Sequence, residues 1–451
     1  MRKRLSYLLT LCIGVTTLTL PACADSSFGK RDENVLRVAS WDEYICEGGE
    51  DSYIENSRPL YEEFQDWYFE QTGKEITVEY VPLQDNETMY NKIKMGDSYD
   101  LLCPSEYMIM KLAKEGKLQK FPDEFFDTSI ETNYYAKNLS PYIKGVFDGL
   151  AIDDNDSLSD YAAGYMWGTT GFVFNRNEID SEIMSDWNAF TSSACKRKIT
   201  AKDNVRDSYF VGLGLYYQDE LNALRAEFES GKITLNDYQT SLSQMMNDTS
   251  ETTMNAVKKK LITMRKNVYG LETDEGKLDV AYGRLDASYQ WSGDAVYILD
   301  VADEREDDSL DLAYSIPKSA SNLWFDGWVM MDGIDDNIKD AAMAFVNFLS
   351  IPENVIRNMY YIGYTSCIGG DEVFDYVVES YGAEDSDTDT AEYDLSYFFG
   401  DGYTFTTTKE QTYKQLFAQY PKATDIHRLV VMTPFDKKTN ERANRMWTNI
   451  K

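Results

Sequence analysis

The chain has 451 residues, with 77 acidic against 44 basic side chains and a formal net charge of −33. So acidic a surface excludes a nucleic-acid binder, which needs a basic face, and the length suits two domains with cores of their own. A single histidine, His427, argues against His-based triads and multi-His metal sites, and the six cysteines form no CxxC pair of the kind zinc uses.

The first residues read as a processing signal rather than as fold. Arg2, Lys3 and Arg4 precede a mostly apolar run from Leu5 to Leu20, too short and interrupted for a membrane span. The run closes on Leu20-Pro21-Ala22-Cys23, which resembles a bacterial lipobox. A lipoprotein signal peptide is expected over 1–22, lipidation at Cys23 and a lipid-anchored tether over 23–34. The globular part would then be exported and held at the outer face of the cell membrane, in a periplasm or at the cell surface.

Val35 to Ala39 alternates and is β-rich, a first strand ending in the loop Ser40-Trp41-Asp42-Glu43-Tyr44. Leu60 to Gln71 has helical spacing and stops at Gly73. Ile76 to Val81 reads as a second strand. Asn86 to Met95 reads as a helix with Asn86 as its N-cap. Tyr99 to Cys103 is a short strand, and a helix over 107–115 stops at Gly116. This βαβαβ rhythm predicts a doubly wound lobe, whose ligand edge lies at the strands' carboxyl ends.

Tyr165 to Asn175 reads as an extended segment leaving that lobe. Ile199-Thr200 opens a second unit, with Asp207 starting a helix through Tyr217 and strongly helical sequence over 218–265. Leu278 to Tyr282, Ala287 to Trp291, Ala313 to Pro317 and Gly327 to Met331 are strand candidates. Asp335 to Leu349 is an amphipathic helix. Glu384 to Asp394 holds six acids and no base, but Thr390 and Ser396 stand where a calcium loop needs Gly and Glu. That stretch is expected to be an acidic surface insertion over 381–404. His427 to Lys451 is an extended piece followed by a helix. The cysteines other than Cys12 and Cys23 are expected to be buried free thiols, although export permits pairing.

The stretch Ala287 to Met330 concentrates chemistry. It holds Trp291, Trp324 and Trp328, with Asp294 and Asp326 close behind the first two. Aromatic faces beside carboxylates suit an organic cation: the ring quadrupole attracts ammonium and methylenes, and the carboxylate supplies charge and acceptors.

Quoted in order, SWDEYI (40–45), NETMYNKIK (86–94), YDLLCPSEYMIMKLAKEGKLQKF (99–121), YMWGTTGFVFN (165–175), NVRDSY (204–209), WSGDA (291–295), WFDGWVM (324–330), NFLSIPENV (347–355), IGYTS (362–366) and RANRMWTNIK (442–451) form an ordered set. That set resembles the spermidine/putrescine-binding proteins of polyamine ABC transporters, within the bacterial extracellular solute-binding lipoproteins. The resemblance implies an α/β, two-lobed, type II periplasmic-binding-protein-like fold, with the ligand cleft between lobes joined by crossing strands. It implies lobe 1 over 35–165 plus 326–380 and lobe 2 over 166–325 plus 405–451, with crossings near Tyr165-Met166 and Phe325-Asp326.

Carried over position by position, the resemblance makes Trp41 and Trp291 opposing aromatic walls, and Glu43 and Asp326 amine partners. Asp42 adds a carboxylate where relatives carry Ser or Thr. Tyr44, Ser105, Tyr107 and Tyr364 match cleft-lining positions, and Trp324 matches an aromatic at the second crossing. Asp294 matches an acid of putrescine-type members, and Asp207 aligns with a Glu of spermidine-type ones. Asn204 and Met432 depart from spermidine-type members, which carry Asp and Gln there, so the length of the polyamine stays open. Trp167, Trp187 and Trp328 are read as packing.

The function so implied is capture of putrescine or spermidine without chemistry and without a cofactor or metal. Cleft closure would present the loaded protein to ABC permease subunits. The alternatives are a binding protein for another cationic solute, a polyamine sensor without transport and, more distantly, a secreted carboxylate-pair glycosidase.

Overall fold

The computed structural model describes residues 34–273, 276–305 and 309–451. The leader, Cys23 and the tether through residue 33 lie outside the described residues. Strands β1 Val35–Trp41, β2 Thr77–Leu83, β3 Leu101–Leu102, β4 Leu118–Gln119, β5 Ala162–Asn175, β6 Ile199–Lys202, β7 Gly270–Glu272, β8 Ala287–Trp291, β9 Leu312–Ser315 and β10 Ser321–Met331 belong to one sheet. Its main path runs β2-β1-β3-β10-β5-β8-β6-β7.

The two ends of that path repeat one pattern. β1 lies parallel to β2 and β3, and β10 closes the group antiparallel to β3. In the same way β6 lies parallel to β7 and β8, and β5 closes that group antiparallel to β8. Between the groups β5 and β10 pair with each other, antiparallel, from Leu323↔Thr169 to Val329↔Ala162. Their burial is almost continuous rather than alternating, as covering both faces of a sheet requires. One apolar core gathers Leu36, Val38, Leu101 and Phe345; the other gathers Phe172, Trp187, Val257 and Tyr289. This is a mixed α/β, two-lobed architecture with crossing strands at its waist. Among the described residues no helix is long and apolar enough to cross a membrane.

Local chemistry explains most element ends. The Leu60–Thr72 helix stops because Gly73 takes φ +70° and returns its N–H to Phe69. Three expectations are corrected. The helix Asn86–Met95 is capped by Asp85, whose carboxylate accepts from the Thr88 N–H, and Asn86 is turned inward. The helix Val205–Tyr216 is capped by Asn204, which accepts from the N–H groups of Arg206 and Asp207, so Asp207 sits in its first turn. Leu278 to Tyr282 is no strand: Gly276–Ala281 is a short helix that buries Val280 and Ala281. Five residues of mixed polarity fit either period.

The stretch over 381–404 is not wholly a surface insertion. Its acidic tip is mostly exposed, but Thr390–Asp394 pairs with Thr404–Thr408 as a hairpin. Tyr393, Leu395 and Phe398 behind that hairpin enter the core. The cysteines at 46, 103, 195 and 367 are free and buried, and Trp167, Trp187 and Trp328 are core residues.

Candidate functional site

Asp326 lies on β10 where the pairing to β5 shifts register, between Asp326 and Gly327. Such a bulge re-aims a side chain out of the pleat. The carboxylate is 5% exposed. One oxygen, Oδ2, accepts from Trp41 Nε1 at 3.0 Å and from the Tyr44 hydroxyl at 2.7 Å. Ser105 is bridged to Asp326 by its backbone, which brings its hydroxyl close to the carboxylate. Ser105 is held in turn by Asn86, whose amide donates to its Oγ at 2.9 Å and accepts its N–H at 3.0 Å. The other oxygen, Oδ1, is buried without a partner among the described residues. Burial raises the Asp326 pKa, against the lowering effect of the Tyr44, Ser105 and Trp41 hydrogen bonds.

Glu106 stands beside it, buried, and burial followed by the Asp326 charge pushes its pKa up to about 8. The aromatic surround is contiguous. Tyr44 meets the Tyr165 and Tyr364 rings edge-on, and Tyr364 packs 5.3 Å from Trp324. Trp324 spends its own N–H on the Thr169 carbonyl at 3.0 Å, which fixes the ring as a wall. Close approach needs Gly293 here, because a Cβ at that position would fall inside the Tyr364 ring.

The second lobe faces this with Asp207, Trp291 and Asp294. Asp207 is buried and hydrogen-bonded by Trp291; burial, offset by Lys202 and Arg206, leaves its pKa at about 6. Across the cleft the Arg206 guanidinium sits 4.5 Å from the Tyr107 ring centre, and the Tyr107 hydroxyl donates to Glu87 at 3.2 Å. The two lobes therefore touch through Tyr107 and Arg206.

Asp294 is already occupied. Lys277 pairs with its Oδ1 at 2.9 Å, Lys202 with its Oδ2 at 3.2 Å, and the Tyr364 hydroxyl donates to Oδ1 at 3.1 Å. Burial alone would raise this carboxyl; the two lysines outweigh it and hold the pKa below the usual range. Trp291 carries Lys202 Nζ 4.1 Å from its ring centre. An acid and a wall expected to meet ligand are thus engaged by the protein itself.

The structure brings Trp41, Tyr44, Ser105, Tyr107, Asp207, Trp291, Asp294, Trp324, Asp326 and Tyr364 into one linked neighbourhood. Asp42 and Glu43 stand apart, exposed on the turn after β1, with Glu43 at φ +51°. Glu43, expected to hold an amine, makes no contact with the Asp326 cluster among the described residues. Residues missed from sequence include Glu106, Lys202, Arg206 and Asn86. Glu106 sits inside the quoted PSEY segment, so a polar residue after a strand end was the available signal. Lys202 ends a strand like any solvated lysine and carries no such mark.

A family model described as bacterial extracellular solute-binding protein matches residues 60–369. This chain is a bacterial extracellular solute-binding protein. Several curated relatives of the solute-binding protein carry polyamine names. The spermidine/putrescine-binding periplasmic protein of Salmonella typhimurium is 25% identical over 335 residues, covering 74% of this chain and 77% of its own. The putrescine/agmatine-binding protein of Pseudomonas aeruginosa is 23% identical over 300 residues, covering 65% and 71%. Among solved structures, a putative spermidine/putrescine ABC transporter from Listeria monocytogenes superposes with a TM-score of 0.60 at 24% identity, covering 92% of this chain and 98% of that one. That likeness fixes the fold: two lobes of type II topology around a cleft.

Proposed function

We propose that this solute-binding protein captures a polyamine outside the cytoplasm and delivers it to the permease of an ABC importer by closure of its lobes. The observation that carries the reading is Asp326. A buried carboxylate with one oxygen held by neutral donors, the other without a partner among the described residues, and indole and phenol rings around it is an acceptor suited to an alkylammonium head. Ammonium over such rings gains roughly 0.5–2 kcal/mol per contact beyond the charge-assisted hydrogen bond. Micromolar binding needs about 8 kcal/mol in total, within reach of a few such contacts. The polyamine names of the relatives agree with the class of ligand. Capture involves no bond-making, so the protein is not an enzyme.

Trp41, Tyr44, Ser105, Asp326 and Tyr364 form the receiving half, and Asp207, Trp291 and Trp324 belong to the second lobe that closes on it. Buried carboxylates near one another repel when ionised, and a cation relieves this, so ligand favours the closed form. Lipidation at Cys23 would hold the molecule at the membrane beside its permease. Calorimetric titration of the 24–451 chain with putrescine, agmatine, spermidine and spermine tests the reading. Saturable heat with at least one is expected, and no heat with any of them refutes it.

A further inference from the structure

The end of the cleft at Trp291 and Asp294 is filled by a side chain of the protein. Lys202, the last residue of β6, is 2% exposed. Its ammonium donates to the Thr273 carbonyl at 2.9 Å and to Asp294 Oδ2 at 3.2 Å. It also lies 4.1 Å from the centre of the Trp291 ring. Two acceptors and one π face satisfy all three donors of an ammonium. This is the set of partners that a ligand amine would seek at the same place.

The local charges agree. Lys202 and Lys277 face Asp294 and Glu272, two cations against two acids. Glu272 is further held by the Gln290 amide at 2.9 Å and the Gly276 N–H at 3.3 Å. At the other end Asp326 has only neutral donors and an open oxygen. Asp207, also on the second lobe, feels the Lys202 charge as well.

We propose that Lys202 is a built-in amine that closes the Trp291–Asp294 end of the cleft and restricts the ligand to a short diamine, one head on Asp326 and the other reaching no further than Asp207. A third ammonium would have to displace Lys202 from Asp294 or share its space. The inference rests on the polyamine reading and deepens it by selecting ligand length.

The test is titration of the wild type, Lys202→Met, Lys202→Arg and Lys277→Met with putrescine and with spermidine, each protein first checked for cooperative melting. The wild type is expected to bind putrescine at least tenfold more tightly than spermidine. Lys202→Met, which keeps length and removes charge, should tighten spermidine at least tenfold relative to putrescine. Lys202→Arg and Lys277→Met should keep the wild-type preference, the first because the charge remains, the second because Lys202 still covers Trp291. Spermidine bound as tightly as putrescine by the wild type overturns the proposal. So does a Lys202→Met protein with an unchanged preference, since the ligand would then use the other face of Trp291. If Lys202→Met does not melt cooperatively, the wild-type ratio and the Lys202→Arg ratio decide the matter. Absence of binding by every protein removes the polyamine reading itself, a result distinct from a wrong preference.

Discussion

Replacing Asp326 by Asn probes the site with little change of shape. In the native chain Oδ2 receives Trp41 and Tyr44, and Oδ1 stands open. An amide oxygen can keep the two internal bonds, which leaves the NH2 group at the open position. A donor then faces the ligand's ammonium, and the buried negative charge is gone. Truncating one partner of a buried, hydrogen-bonded charge pair costs 2–5 kcal/mol; about 3 kcal/mol is expected here, near the lower middle because the aromatic contacts remain. At 1.4 kcal/mol per decade this is a loss of roughly a hundredfold in Kd. The empty protein should not be weakened, since burial penalises the charge that is removed. Calorimetry gives Kd, and thermal melting without ligand gives stability. The control is Asp389→Asn, whose exposed carboxylate pairs with Lys409 at the surface and should leave Kd unchanged. A loss at Asp326→Asn below threefold, or one equal to the control's, would refute the role given to Asp326.

Other outcomes follow from the same geometry. Glu106 titrates near pH 8 and Asp207 near pH 6 in the empty protein, and a cation favours their ionised forms, so binding should expel protons and affinity should rise with pH between about 6 and 8. Calorimetry in buffers of different ionisation enthalpy detects the release; identical heats in all buffers would contradict it. For the same reason the empty protein should lose stability as pH rises from the usual carboxyl value of 4.5 towards 8, since only the folded state keeps the Glu106 proton there, and Glu106→Gln should flatten that slope in melts across the window. Arg206→Ala removes the contact with Tyr107 that joins the lobes; a loss of about 0.5–2 kcal/mol in ligand affinity is expected, together with a larger radius of gyration by X-ray scattering. Gly293→Ala must push Tyr364 off its place beside Asp294 and should cost about 1–3 kcal/mol by denaturant melting.

How far the sequence disclosed this depends on the range of each signal. Local signals served well: the alternation of Val35–Ala39 and the spacing of Leu60–Gln71 correspond to β1 and to the first helix. Where two local signals compete, the sequence misleads. Asp85 and Asn86 are both good caps, and only the inward pull of Ser105 on Asn86 decides for Asp85. The acids of 384–394 drew attention from the aromatic residues beside them, which are what the core uses. Within the site, the resemblance supplied positions but not pairings. Nothing in one dimension tells that Lys202 reaches across to residues 291 and 294, and without that contact Asp294 reads as an acid awaiting a ligand. Glu43 shows the converse: it stands next to the buried Tyr44, yet it is exposed at a left-handed φ.

The placement of Asp326 on a strand shared by both lobes divides recognition into two steps in time. Trp41, Tyr44 and Ser105 belong to the first lobe and pivot with Asp326, so a swing of the second lobe leaves their mutual distances intact. Under the proposed closure the open molecule keeps a formed half-receptor, and the encounter rate should depend on that half. What Asp207 and Trp291 add comes afterwards, as residence time. Substitutions in the first set should alter how fast ligand arrives and how firmly it is first held; substitutions in the second should alter only how long it stays.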